Sequence, residues 1–362
     1  MTQLLNVKPY KVLDVRGSPS EKGYQYGSHH AELVKRLINA HYDFYATYLN
    51  TSKDEALKSA ARYVEPTRNY SEDIMQEIEG IAEGSGSIVD EIMLVAAFNE
   101  VFYPRLAKAC TSFAVRNGAT SDGNTYVGQN NDEGLDPWLD GDCTTLTRFH
   151  QTDAPDALIY TYAGAPAMMG INSAGLALCI NALGFDAPKV GVPMLCVVRE
   201  VMNQKDIDGA VNAIERADRA FALNFVIGTP NEVANIEANP LKVETTRSDR
   251  TLYHANHYMF CPVEGFTESK SPEYMKNSQS RCGRMGELIE ENEGKLDLAI
   301  LEDILRDHEN RPDMICAHPN HNRTKAHWSR TLDGMIYIAE KREAWIAHGN
   351  PCESEFEKYT VS

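Results

Sequence analysis

Apolar residues recur at helical spacing through roughly the first hundred positions of the chain. The run Ala31-Glu32-Leu33-Val34-Lys35-Arg36-Leu37-Ile38 predicts a helix within 21–49. Pro66 interrupts the next segment. Ser71 offers an N-cap for a further helix through Gly80, which Gly84-Ser85-Gly86 ends. Residues 89–98 predict another, with Asp90 and Glu91 in the first turn, where the helix dipole favours acids. After Cys110 the pattern changes to short β-branched and aromatic runs. Strands are predicted over 111–115, 125–127, 157–163, 167–171, 176–183, 223–229, 232–238, 251–254, 331–340 and 344–347. Helices are predicted over 193–203, 207–217, 272–291 and 296–308. Two groups of strands with helices between them predict a layered α/β (α+β) protein with largely antiparallel sheets.

The change of period falls at one stretch. Residues 111–115 and 125–127 flank Asn117-Gly118 and Asp122-Gly123-Asn124, residues that accept the turn conformations a hairpin needs. Such a hairpin returns Gln129-Asn130-Asn131-Asp132 to the side of Cys110. Asn172-Ser173-Ala174-Gly175 predicts a second hairpin turn.

Charge and cysteine usage narrow the function. A net charge of −17 argues against a broad basic surface for nucleic acid or anionic membrane. No apolar run approaches membrane-spanning length. Residues 1–15 carry Pro9 and charges where a signal peptide has its apolar core. Of the eight cysteines none forms a C-x-x-C pair, and Cys179 and Cys196 sit in apolar runs. That predicts reduced core thiols in a cytoplasmic protein rather than a disulfide framework.

The chemistry centres on Cys110. If the chain is cut before it, one residue carries both a thiol and an α-amino group. The amine, with a pKa of about 7.7–8.0, is partly neutral near pH 7 and serves as general base for the thiol. A group to hold the ammonium or thiol and donors for a tetrahedral oxyanion complete such a site. Asp132 suits the first role, and Asn side chains and backbone N–H groups suit the second.

Cys110-Thr111 followed by Gly128-Gln129-Asn130-Asn131-Asp132 resembles the N-terminal-nucleophile (Ntn) hydrolases, and among them the isopenicillin N acyltransferase-like family. The resemblance continues in order through the Gly23 to Gly27 region, 170–183, Gly191-Val192-Pro193, Tyr253-His254-Ala255-Asn256-His257, Ser280-Arg281, 331–338 and Gly349-Asn350-Pro351-Cys352. It implies a four-layer αββα sandwich of two mostly antiparallel sheets. Residues 1–109 would be a helical pro-segment, the small α chain after self-cleavage at Ala109–Cys110, and residues 110–362 the catalytic domain. It implies Cys110 as nucleophile, Asp132 as the group orienting its amine or thiol, and Asn256 as oxyanion donor. Asn181 would lie near the oxyanion, and Arg281 would have a structural or charge-balancing role. Gln129, Asn130, Trp138 and His257 are candidates for substrate binding. The implied substrate is a small N-acyl amide opened through a thioester, by water or by an acceptor amine, with acyl-CoA as a further co-substrate candidate. Hydrolysis is the favoured outcome, because water is always present and no acceptor site is legible. No cofactor or metal is implied. The processed protein would be an α/β heterodimer, open to higher assembly.

Two departures stand out. Ala109 replaces the acyltransferase's glycine before the nucleophile, which predicts slower cleavage. Gln129 stands where bile-salt hydrolases carry arginine, which places the chain on the acyltransferase side. Gly141-Asp142-Cys143-Thr144-Thr145 resembles the acyltransferase cleavage site locally, but Cys143 lacks a following Gln-Asn-Asn-Asp strand. Two rival readings remain. One is an uncleaved binding protein on the same fold, with residues 1–109 covering the site. The other is a zinc hydrolase built on His318, His321 and His327.

Overall fold

The computed structural model describes residues 8–102, 109–134, 143–185, 189–261, 271–320 and 329–362. The first segment opens with a strand, β1 (Leu13–Val15). It continues through α1 (Pro19–His29), α2 (Ala31–Leu49), α3 (Lys53–Ala61), α4 (Val64–Tyr70), α5 (Glu72–Ser85), α6 (Val89–Ala96) and α7 (Phe98–Phe102). The capping signals act as expected. Ser71 accepts from the Ile74 N–H at the start of α5, and Gly86 ends it in the left-handed region.

From Cys110 onward two sheets form. One runs β11-β2-β3-β12-β13-β14, from β2 (Ala109–Val115), β3 (Tyr126–Gly134), β11 (Thr251–His254), β12 (Ser329–Ile338), β13 (Glu343–His348) and β14 (Phe356–Thr360). The other runs β1-β4-β5-β6-β7-β8-β9-β10. Its strands after β1 are β4 (Thr144–Phe149), β5 (Ala157–Tyr162), β6 (Met169–Asn172), β7 (Ala177–Ala182), β8 (Leu223–Gly228), β9 (Val233–Ala238) and β10 (Val243–Ser248). Only β1 against β4 is parallel among the described strand pairs. The sheets face each other through β2 and β3 against β7 and β8. Helices α10 (Pro272–Glu291) and α11 (Leu298–Leu305) cover the outer face of the first sheet, over a core containing Phe113, Met285 and Ile336. Helices α8 (Met194–Val201) and α9 (Ile207–Arg216) cover the second, together with the N-terminal helices. The layer order is therefore αββα, as expected.

The differences from expectation are local. The N-terminal segment is not wholly helical: β1 extends the second sheet, and three residues are too few to carry a periodic signal. Strands β4, β10 and β14 also lay outside the predicted set, because Thr, Glu and Lys dilute their alternation. The helix predicted over 89–98 breaks at Ala97 into α6 and α7.

Glycine decides how the N-terminal helices meet. A Cβ on Gly23 or Gly27 would overlap the carbonyl oxygens of Glu77 and Ile81. A Cβ on Gly80 or Gly84 would overlap those of Ser20 and Tyr24. Helices α1 and α5 thus pack backbone to backbone along two facing Gly-x-x-x-Gly ridges.

Candidate active site

Strand register places the key residues. Antiparallel pairing sets Cys110 opposite Asn131 and Ala109 opposite Asp132. Alternation turns Phe113 and Val115 toward α10 and α11, and Ala114 toward the facing sheet. The Cys110 and Ser112 side chains therefore face the other sheet, and Ala109 and Thr111 face α10. Ser112 Oγ donates to Asn181 Oδ1 on β7 at 2.7 Å. Cys179, two residues before Asn181, has its thiol pushed well up, by burial first and then by the nearby Cys110.

On the α10 face a guanidinium organises the strand start. Arg281 is 1% exposed. Its Nη1 donates to the Cys110 carbonyl oxygen and to Thr111 Oγ1, both at 2.6 Å. Its Nη2 donates to Asn256 Oδ1 at 2.9 Å, and Nε to Asn277 Oδ1 at 3.0 Å. Asn256 Oδ1 also accepts the Cys110 N–H at 2.7 Å. Two donors on that oxygen fix the carboxamide, whose Nδ2 reaches the Ala182 carbonyl at 3.1 Å. In the continuous chain Asn256 thus accepts the Cys110 N–H through Oδ1, while Nδ2, the atom that the expected oxyanion donor would use, donates to the Ala182 carbonyl. The buried Asn181 Nδ2 is without a hydrogen-bond partner among the described residues.

The segment carrying Asn256 is itself held. His254 Nε2 pairs with the buried Glu237 at 2.7 Å, and Glu237 also accepts the N–H groups of Met259, Phe260 and Cys261. Ser278 Oγ accepts the Asn256 N–H at 2.7 Å and meets His257 Nδ1 at 2.8 Å. His257 therefore braces Asn256 through Ser278.

Asp132 lies fully buried on the face shared with Ala109. Its Oδ1 accepts from Thr331 Oγ1 at 2.6 Å, and its Oδ2 is without a partner among the described residues. Burial pushes its carboxyl up to about 7, against the opposing pull of Arg281 and the Thr331 hydrogen bond. A cleft lined by Ala109, Asn277, Arg281, Met314, Ala317 and His318 opens beside the strand start.

Two further candidates on β3 bridge to neighbouring layers. Gln129 is buried and accepts the Ile180 N–H at 2.9 Å, tying the two sheets together. Asn130 faces α11 and donates to the Leu305 and Ile315 carbonyls at 2.8 and 3.0 Å. Strand alternation turns the two toward opposite layers, and Gln129 Nε2 and Asn130 Oδ1 are left without a hydrogen-bond partner among the described residues. Trp138, His321 and His327 lie outside the described residues. Cys143 is buried, and burial with nearby Asp333 and Glu133 pushes its thiol up to about 12, which suits an inert core cysteine. Sequence reasoning did not single out Ser112, Thr331 or Ser278. No local pattern marks them, since each acts through a partner at least 21 residues away.

A 40 kDa form of acyl-coenzyme A:6-aminopenicillanic-acid-acyltransferase from Emericella nidulans is 25% identical over 355 residues, covering 93% of this chain and 92% of that one. Among solved structures, penicillin V acylase from Agrobacterium tumefaciens matches with a TM-score of 0.46 at 12% identity. That match covers 66% of this chain and 83% of the other. A variant of the conjugated bile acid hydrolase from Clostridium perfringens matches with a TM-score of 0.47 at 13% identity, covering 69% and 97%. The family model described as acyl-coenzyme A:6-aminopenicillanic acid acyl-transferase matches residues 119–353, and the chain belongs to that family.

Proposed function

We propose that the chain cuts itself between Ala109 and Cys110 and then works as an Ntn cysteine amidohydrolase on small N-acyl amides. The observation that carries this reading is the buried array around Cys110. Asn256 holds its N–H, Arg281 holds its carbonyl, and Asp132 stands opposite Ala109, the residue before the cut.

In self-cleavage the Cys110 thiolate attacks the Ala109 carbonyl carbon. The carbon–nitrogen bond to Cys110 breaks as its nitrogen takes up a proton, leaving a thioester. Water opens the thioester to an Ala109 carboxylate and a free Cys110 thiol. The released α-amino group then lies beside Asp132, whose buried carboxylate favours the ammonium form. In turnover the neutral amine takes the thiol proton, the thiolate attacks the N-acyl carbonyl, and the leaving amine recovers that proton. Asn181 Nδ2, buried between the sheets and without a partner among the described residues, is a side-chain donor available to the oxyanion. Water then resolves the acyl-enzyme.

A second reading has its own support. The curated relative spanning nearly the whole chain is an acyltransferase, so an amine acceptor or an acyl-CoA donor remains open for this protein. The eight free cysteines fit work in a reducing, cytoplasmic setting. No described helix is long and apolar enough to cross a membrane.

Intact mass under denaturing conditions tests the core of the proposal. The wild type is expected as two fragments joined between residues 109 and 110, and Cys110→Ala as one chain. An unbroken wild-type chain after prolonged incubation would overturn the free-amine mechanism and favour an uncleaved binding protein. Incubating the processed enzyme with an N-acyl amide, with and without an added amine, separates hydrolysis from transfer by whether a new amide forms.

A further inference from the structure

Four side chains from three separate stretches converge beside the cleft. His308 follows α11, Cys316 and His318 flank Ala317 on the approach to β12, and Cys352 lies in the turn after β13. Their ligand atoms all lie within 4.8 Å of one another. His308 Nε2 is 3.1 Å from His318 Nε2, and His318 Nε2 is 3.2 Å from Cys352 Sγ. Cys316 Sγ is 3.6 Å from Cys352 Sγ and 3.8 Å from His318 Nε2. A tetrahedral zinc with bonds of about 2.3 Å to sulfur and 2.0–2.1 Å to nitrogen has ligand–ligand edges of roughly 3.3–3.8 Å.

We propose that His308, Cys316, His318 and Cys352 bind a zinc ion in a closed Cys₂His₂ site. Two thiolates and two imidazoles, with no carboxylate among them, are the donor set of a structural zinc. Asn350 gives outer support: its Nδ2 donates to the Ala317 carbonyl at 2.8 Å and lies 3.6 Å from Cys316 Sγ.

The site differs from the sequence-based zinc candidate, sharing only His318 with it. Because all four positions come from the chain, the ion keeps no place for a hydrolytic water, and its role is to fix structure. What it fixes is the stretch that orients Asp132. The Ile315 carbonyl accepts from Asn130, and the Ala317 N–H donates to Thr331 Oγ1 at 2.9 Å. The Thr331 hydroxyl in turn donates to Asp132. Zinc would thus staple the α11–β12 connection and the β13–β14 turn together, next to Ala109.

The test is metal analysis of the full chain, purified under reducing conditions, with Co²⁺ titration after chelator treatment. About one zinc per chain is expected in the wild type and in Cys110→Ala. Co²⁺ should give the thiolate charge-transfer band and the strong visible bands of a tetrahedral site. The double variant Cys316→Ser, Cys352→Ser should lose bound zinc, with affinity weakened at least ~10-fold. A wild type that binds no zinc overturns the proposal, as does a double variant that keeps it. A Cys316–Cys352 disulfide in metal-free native protein overturns it too. Should the double variant not fold, the wild-type Co²⁺ spectrum decides, and absence of the thiolate band refutes the site.

Discussion

Asp132 is a buried carboxyl with one oxygen bonded to Thr331 and one left without a partner, beside a guanidinium that offsets only part of its desolvation. Its folded pKa of about 7 lies above the ordinary carboxylate value. The folded chain therefore holds a proton that the unfolded chain has already lost. That contribution to stability is fully present below the unfolded pKa and disappears as pH rises through about 7. In a Cys110→Ala background, which keeps the chain continuous, Asp132→Asn should stabilise the protein by about 1–3 kcal/mol at pH 8 and change little at pH 5. Urea midpoints at the two pH values measure this. A gap that widens toward low pH would mean that Arg281 holds Asp132 ionised. The pairing of Asp132 with Ala109 was legible as a hairpin. Its protonation was not, since that depends on a helix 140 or more residues away.

At the scale of elements, α1 and α5 illustrate how a motif can be visible without its reason. The Gly23 to Gly27 region stood out as family-like, but only the packing explains it. Both helices put glycines where the other's backbone passes, so no side chain fits between them. Gly80→Ala removes a residue that disfavours helix by about 1 kcal/mol, yet it places a methyl group against the Ser20 carbonyl. Overpacking should win, and the variant should lose about 1–3 kcal/mol or more in urea unfolding. A gain of stability would mean that the helices are not in this contact.

At the scale of the molecule, the segment before Cys110 shares one core with the rest. β1 extends the second sheet, Tyr26 OH bonds Thr145 on β4 at 2.9 Å, and Arg199 on α8 grips Glu77 on α5 in an ion pair that is 3% exposed on both sides. Cleavage at 109–110 should therefore leave a tight complex. The two fragments are expected to co-elute in native size exclusion and to part only in denaturant. Glu77→Ala strands a buried guanidinium, at a cost of roughly 3–5 kcal/mol, and should lower the denaturant concentration at which they part. Fragments that separate in native buffer would contradict this. The sequence alone determined the layered class, the hairpin that returns Asp132 to the strand start, and the family, because these rest on period, turn chemistry and ordered short motifs. Only the tertiary structure decided that Asn256 faces Cys110 as an acceptor, that Asn130 anchors a loop, and that His308, Cys316, His318 and Cys352 meet. Each of these depends on which side of a strand or loop a residue takes and on partners far along the chain, and no local pattern encodes that.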